Sequence, residues 1–117
     1  MEELDKIIMS VLVKKKIIME RYLKKPLLYT DKIYSIIQEF DDKKQSFLID
    51  CDKIGFENSL IKHVDFIETS FHDVINYYNT EIENCGVHEI VLYLLSEKNI
   101  LLDAGKKLKN ILVNSNK

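Results

Sequence analysis

The chain has 117 residues, of which 46% are apolar and 31% are charged, and its 17 basic and 19 acidic side chains give a net charge of −2. This near-neutral balance argues against a dedicated nucleic-acid-binding protein, which usually carries a large basic excess. One proline and three glycines are too few for the many turns of a β-sandwich or barrel. The composition therefore favours a single all-α domain over residues 1–117.

Apolar residues that recur every three or four positions predict four helices. The first is expected over about residues 3–24 and ends before Pro26, because a proline disfavours helical conformation in the residue that precedes it. The second, over about residues 32–54, is followed by Gly55, which occupies the position of a left-handed C-cap.

The third predicted helix, over about residues 59–84, has the most regular pattern, and Asn58 or Ser59 can cap its first turn. Its apolar positions alternate at intervals of three and four, as in a coiled coil: Leu60, Val64, Ile67, Phe71, Val74, Tyr78, Ile82 and Cys85. Because the links are short, consecutive helices are expected to run antiparallel. The predicted architecture is an elongated antiparallel bundle of about four helices, or two helical hairpins side by side.

The fourth predicted helix, over about residues 88–113, carries two apolar stripes. The stripe expected in the bundle core comprises Ile90, Leu94, Leu101, Leu108 and Leu112. The second stripe lies about 100° away around the helix and comprises Val91, Leu95, Leu102 and Val113. Either this helix packs against two neighbours within the bundle, or the second stripe binds an amphipathic helix of a partner protein. The second interpretation makes the four residues of that stripe candidate partner-binding residues.

The charges are unevenly distributed, because residues 63–97 contain no lysine or arginine, whereas Lys14, Lys15 and Lys16 are adjacent in the first predicted helix. One interpretation is that neighbouring helices neutralise each other. The other is that the acidic stretch meets a basic partner.

No constellation of residues predicts an enzyme. Glu68 and His72 are four residues apart, whereas a di-iron bundle needs the Glu-x-x-His spacing on two helices. Gly105 and Lys106 lack the rest of a phosphate-binding loop. We therefore expect a non-catalytic protein with no catalytic residues, no metal and no cofactor, and we expect no nucleic acid among its partners.

We expect a cytoplasmic location and no membrane insertion. Residues 1–5 contain no basic segment of the signal-peptide kind. No apolar run approaches the roughly 20 residues that a spanning helix needs. Cys51 and Cys85 lack a Cys-x-x-Cys spacing and are expected to be reduced thiols.

Two segments of the chain resemble parts of flagellar export chaperones of the FliT and FlgN kind. The resemblance covers about half the chain. Residues 30–48, with the triplet Lys43-Lys44-Gln45 and the apolar pair Phe47-Leu48, resemble the second helix of these proteins. Residues 94–102 resemble their polar, asparagine-containing break between leucines, which adds Asn99 to the candidate partner-binding residues.

The resemblance implies that the protein binds the C-terminal helix of secreted flagellar subunits and passes them to the export machinery. The client helix would pack on the stripe of Val91, Leu95 and Leu102. Two alternatives stay open. One is a small immunity or antagonist protein that sequesters a toxin or signalling partner. The other is a structural module that forms a homodimer through the third predicted helix.

Overall fold

The computed structural model describes residues 2–23 and 30–115. These residues form five helices: α1 (Glu2–Leu23), α2 (Thr30–Ile54), α3 (Phe56–Lys62), α4 (Val64–Asn84) and α5 (His88–Ser115). The predicted all-α class is therefore confirmed. The bounds of α1, α2 and α5 lie within two residues of the predicted ones, although Lys24 and Pro26 fall outside the described residues.

The third predicted helix is two helices, because the chain leaves helical conformation at His63, where φ is −108° and ψ is 29°. His63 is half-buried, with its Nε2 atom 2.7 Å from the carboxylate of Asp50. Its ring also packs edge-on against Phe47, with centroids 5.9 Å apart. These contacts with α2 override a local pattern that contains no helix breaker.

The junction between α2 and α3 explains why the predicted cap of the third helix is wrong. Gly55 has a φ of 91° and a ψ of 157°, so it has the positive φ expected of a glycine there but not the left-handed helical ψ. Helix α3 then begins at Phe56, before Asn58 and Ser59. The buried Ser59 hydroxyl instead donates to the carbonyl oxygen of Phe47 at 2.8 Å, which fastens α3 to α2.

Asp50 anchors the turn between α3 and α4 from the side of α2. Lys62 Nζ lies 2.9 Å from its carboxylate, beside the contact with His63. Hydrogen bonds from Lys62 and His63 hold the pKa of Asp50 below its ordinary value, since they favour the charged form.

The core is built around α1, which contacts α2, α4 and α5, while α2 packs with α3 and α4 packs with α5. The main apolar cluster draws on all five helices, and its members are Leu4, Ile8, Val11, Leu12, Phe40, Phe47, Leu60, Ile67, Phe71, Val74, Tyr78, Leu101, Ala104 and Leu108. Most of the apolar seam predicted for residues 59–84 is therefore inside one chain.

The adjacent lysines of α1 each contact a different helix. Lys14 pairs with Glu97 of α5 at 3.3 Å, and Lys16 pairs with Asp41 of α2 at 3.1 Å. Lys15 pairs with Asp73 of α4. Successive helical residues point about 100° apart, so three lysines in a row can reach three neighbours. For Asp73 and Glu97, mutual neutralisation between helices is therefore the correct interpretation.

The molecule is a flat plate with extents of 45 × 38 × 20 Å. The smallest extent corresponds to about two helix diameters of roughly 10 Å each. A plate of this thickness has little interior for its surface area. Many apolar side chains consequently remain in contact with solvent.

Candidate functional site

Helices α4 and α5 form a hairpin whose outer part has no buried residue. Every residue from 79 to 100 is exposed or half-buried. The residues that flank this segment, Tyr78 and Leu101, are both buried in the core. We call residues 79–100 the hairpin tip.

The hairpin tip carries large apolar side chains in contact with solvent. Six of its residues belong to this class: Val87, Ile90, Leu92, Tyr93, Leu95 and Ile100. Exposed apolar residues scattered singly are ordinary, whereas a cluster of them marks a site of interaction with another molecule. The hairpin tip is therefore the candidate interaction site.

Lys14 of α1 fastens the hairpin at the base of the tip. Its Nζ atom donates to the Tyr78 hydroxyl at 2.7 Å, lies 5.2 Å from the centre of that ring, and lies 3.3 Å from Glu97. Burial opposes the charged form of Lys14. The hydrogen bonds to Tyr78 and Glu97 outweigh this effect and raise the pKa of Lys14.

Helical periodicity divides the exposed residues of α5 between two sides of the hairpin. The groove side comprises Val91, Leu95 and Leu102, and the body side comprises Ile90, Tyr93 and Ile100. The body side lies on the arc of α5 that includes Glu97, which contacts α1. Leu102 of the groove side lines the cleft between α4 and α5, and Val91 and Leu95 lie on the same arc of α5 nearer the tip.

A groove of about 390 Å³ runs between α4 and α5 on the groove side. It has apolar walls, from Phe71 and Ile75 of α4 and from Leu102 and Leu108 of α5, and Gly105 lies among its lining residues. Its rim is charged, with Glu68 on α4 and lysines 106 and 109 on α5. A cleft with apolar walls between two helices is a shape that accepts a third helix.

The structure brings some of the predicted partner-binding residues together and separates one. Leu95 and Leu102 are 36% and 40% exposed, Asn99 is exposed and Val91 is half-buried. Val113 is exposed as well, but it lies about 17 Å beyond Leu102 at 1.5 Å per residue. The first four residues therefore form one surface, and Val113 lies apart from it.

The stripe predicted for the core is buried only in part. Leu101 and Leu108 are buried, and Leu94 and Leu112 pack partly against the core. Ile90, however, is 49% exposed, so its assignment to the core is wrong.

The chain matches no family model, no curated protein and no solved structure.

Two other features are absent from the part of the chain that the structure describes. Within the described ranges 2–23 and 30–115, no group of three or more His, Cys, Asp and Glu side chains is placed to hold a metal ion. In the same ranges, no helix is both long enough and apolar enough to cross a membrane. Both cysteines are free thiols, and they are half-buried.

Sequence reasoning missed Leu92, Tyr93 and Ile100 as site residues, although all three are exposed in the same helix as the predicted stripe. Position on a helical wheel cannot identify them, because the wheel contains no information about where neighbouring helices end. The lengths of the helices hold a usable signal. At 28 residues against 22, α5 is longer than α1 by about 9 Å, so part of it has to project beyond α1.

Proposed function

We propose that this protein is a non-catalytic protein-binding module that accepts an amphipathic helix of a partner protein on the groove side of the hairpin. The observation that carries the proposal is the exposure of Leu95 and Leu102 on one face of α5, where Leu102 lines an apolar groove. An amphipathic helix places apolar residues at intervals of three and four along one face. Such a face matches Val91, Leu95 and Leu102, which lie four and seven residues apart.

The binding needs no chemical step. Burial of apolar surface supplies the free energy, at roughly 25 cal/mol per Å² removed from water. We also propose that the helices of the bundle pack antiparallel with coiled-coil-like interdigitation. A partner helix in the groove would then extend the packing that already exists between α4 and α5.

The resemblance to flagellar export chaperones supports one version of this function. In that version the partner is the C-terminal helix of a secreted flagellar subunit, which the protein keeps monomeric in the cytoplasm. The surface supports this version because a client that must be released needs an accessible binding face. The stripe to which the resemblance points, with Asn99 at its edge, lies in the exposed part of α5.

The first experiment asks whether the groove side is free in the isolated protein. The double variant Leu95→Lys/Leu102→Lys is expected to keep the helical circular dichroism and the melting temperature of the wild type, since both side chains are already in contact with water. The control Ile49→Lys alters α2 at a residue that is 41% exposed, which matches the 40% of Leu102. Unfolding of the double variant alone would mean that these leucines belong to the core.

The second experiment measures binding by calorimetry with C-terminal segments of the flagellar subunits encoded in the same genome. Wild type and Ile49→Lys are expected to bind one segment equally well. Leu95→Lys/Leu102→Lys is expected to lose about 100-fold in affinity, because two charges would enter an apolar contact. If no segment binds, the chaperone version is wrong. An antagonist of a toxin would use the same surface and leave these segments unbound.

The homodimer through the third predicted helix has less support. Most residues of its apolar seam, including Leu60, Ile67 and Val74, are buried within one chain. A dimer that used them would first have to open the core.

A further inference from the structure

The two walls of the groove between α4 and α5 carry opposite charges, and what we infer from them rests on the proposed function. We infer that the partner segment is an amphipathic helix whose apolar face has an acidic flank on one side and a basic flank on the other. The acidic flank would lie along α5 and the basic flank along α4.

The wall formed by α5 is basic. Lys106 and Lys109 line the groove, and Lys98 lies on the same arc of the helix, nearer the tip. From Val91 to Lys109, this arc is about 27 Å long at 1.5 Å per residue. Within α5, all of which the structure describes, none of the three carboxylates lines the groove; they are Glu89, Glu97 and Asp103. A docked helix therefore meets lysines along this wall.

The wall formed by α4 has the opposite sign. Glu68 lines the same groove from this side, and the whole of α4, from Val64 to Asn84, contains no lysine or arginine. His72 also lines the groove, and its Nε2 atom lies 3.1 Å from the side-chain amide of Asn76 in the same helix. A docked helix therefore meets a carboxylate and no lysine or arginine on this wall.

The charges of the two walls do not neutralise each other. Four of them form no ion pair with any other described residue, namely Glu68, Lys98, Lys106 and Lys109. Between the walls lie apolar side chains and Gly105, where an added Cβ atom would meet no atom within 4 Å. The open groove keeps the opposite charges apart, so a helix that lies in it can pair with both walls at once.

A helix with both kinds of charge fits these walls better than a helix with one kind. Lysine on both flanks would repel Lys106 and Lys109, and glutamate on both flanks would repel Glu68. Complementary charges also fix the orientation of a partner. Turning a helix end to end exchanges its two flanks, so the walls select one direction of the partner helix.

The test uses three synthetic helices of about 18 residues, long enough to cover the arc, with the same leucine face and equal numbers of lysine and glutamate. The first has lysine on one flank and glutamate on the other. The second has these flanks exchanged, and the third has both residues mixed on each flank. At about pH 8, where histidine is neutral, the first two are expected to bind about tenfold more tightly than the third. This preference should shrink as salt rises.

The direction of the bound helix gives a second readout, which does not depend on affinity. A nitroxide spin label at the N-terminus of the peptide broadens the NMR signals of nearby residues. The first two peptides are expected to broaden opposite ends of the arc, one near Val91 and the other near Lys109. Exchange of the flanks should reverse the direction, because only the reversed helix then matches the walls.

A charge-exchange variant tests the walls themselves. Glu68→Lys/Lys106→Glu/Lys109→Glu exchanges the signs of the charges that line the groove, and it should reverse the direction of the first two peptides. The control Lys107→Glu changes the net charge by the same amount through an exposed residue of α5 that does not line the groove. It should keep both directions as in the wild type.

Four results would overturn the inference. Equal binding of the three peptides, or one direction for the first two, would do so and leave the proposed function intact, provided that Leu102→Lys still abolishes binding. Unchanged directions in the charge-exchange variant would mean that the walls do not orient the helix. A dimer seen by light scattering without peptide and split by Leu102→Lys would identify a second copy as the occupant. If none of the peptides binds, the proposed function fails together with the inference.

Discussion

The two halves of α5 are similarly rich in apolar residues but differ in what covers them. In the second half, Leu101, Ala104 and Leu108 are at most 3% exposed. In the first half, residues 88–100, no side chain is buried, and Tyr93 is 63% exposed. An apolar stripe therefore identifies the face of a helix that can be buried, while the reach of its neighbours decides which part of that face is buried.

The boundary between the two halves lies close to Glu97, which forms an ion pair with Lys14 of α1. As a whole, α5 packs against α1 and α3 as well as α4. In residues 88–100, however, no side chain is buried. A segment with few buried side chains contributes less to stability and is free to contribute to binding.

The largest expected effect distinguishes two adjacent leucines of the second half, of which one is in the core and the other is on the groove side. Leu101 is 3% exposed and Leu102 is 40% exposed. Leu101→Ala should lower the free energy of unfolding by about 3 kcal/mol, because it leaves a cavity in the core. Leu102→Ala should lower it by less than about 1 kcal/mol. Urea denaturation of both variants measures the difference, and equal losses would mean that the groove side is packed in solution.

The sequence predicts the helices better than their surroundings. Apolar spacing and Gly55 are local features, so they locate α1, α2 and α5 to within two residues. The break at His63 is not local, because it depends on contacts with Asp50 and Phe47 of another helix. The exposure of Ile90 is not local either, since it depends on where α1 passes. A helical wheel therefore predicts the groove side, which depends on spacing within α5. It does not predict the body side, whose exposure depends on the other helices.

A smaller effect is expected at the contact that joins the base of the tip to the body. Lys14→Met should lower the free energy of unfolding by about 1 kcal/mol, through loss of a partly exposed ion pair and a hydrogen bond to Tyr78. The raised pKa of Lys14 gives this contribution a pH dependence. It is present below the ordinary value of 10.5 and is lost as pH rises through the folded-state pKa.

Melting temperatures between neutral and strongly alkaline pH check this assignment. The wild type should lose its advantage over Lys14→Met at the alkaline end. A constant difference between the two proteins would show that the methylene chain of Lys14 stabilises the contact without its charge. Hydrogen exchange in residues 79–100 should accelerate in the variant more than exchange in α2, because only the hairpin loses its attachment.

The smallest expected effect has opposite signs for stability and for binding. Gly105 lies inside α5 and lines the groove, and a Cβ atom added there would meet no atom within 4 Å. Gly105→Ala should therefore stabilise the isolated protein by about 0.5–1 kcal/mol, since alanine favours the helix. If a partner helix crosses closely over this glycine, the added methyl group should also weaken binding several-fold.

Ser96→Ala provides the matched control, because it introduces the same residue into α5 on the side turned away from the groove. It should raise stability slightly and leave the affinity for an amphipathic helix bound on the groove side unchanged. If the Gly105→Ala protein is more stable and binds as tightly as the wild type, the partner helix contacts only the hairpin tip. If it is more stable and binds more weakly, the partner helix also contacts the groove, because a general loss of structure cannot produce that combination.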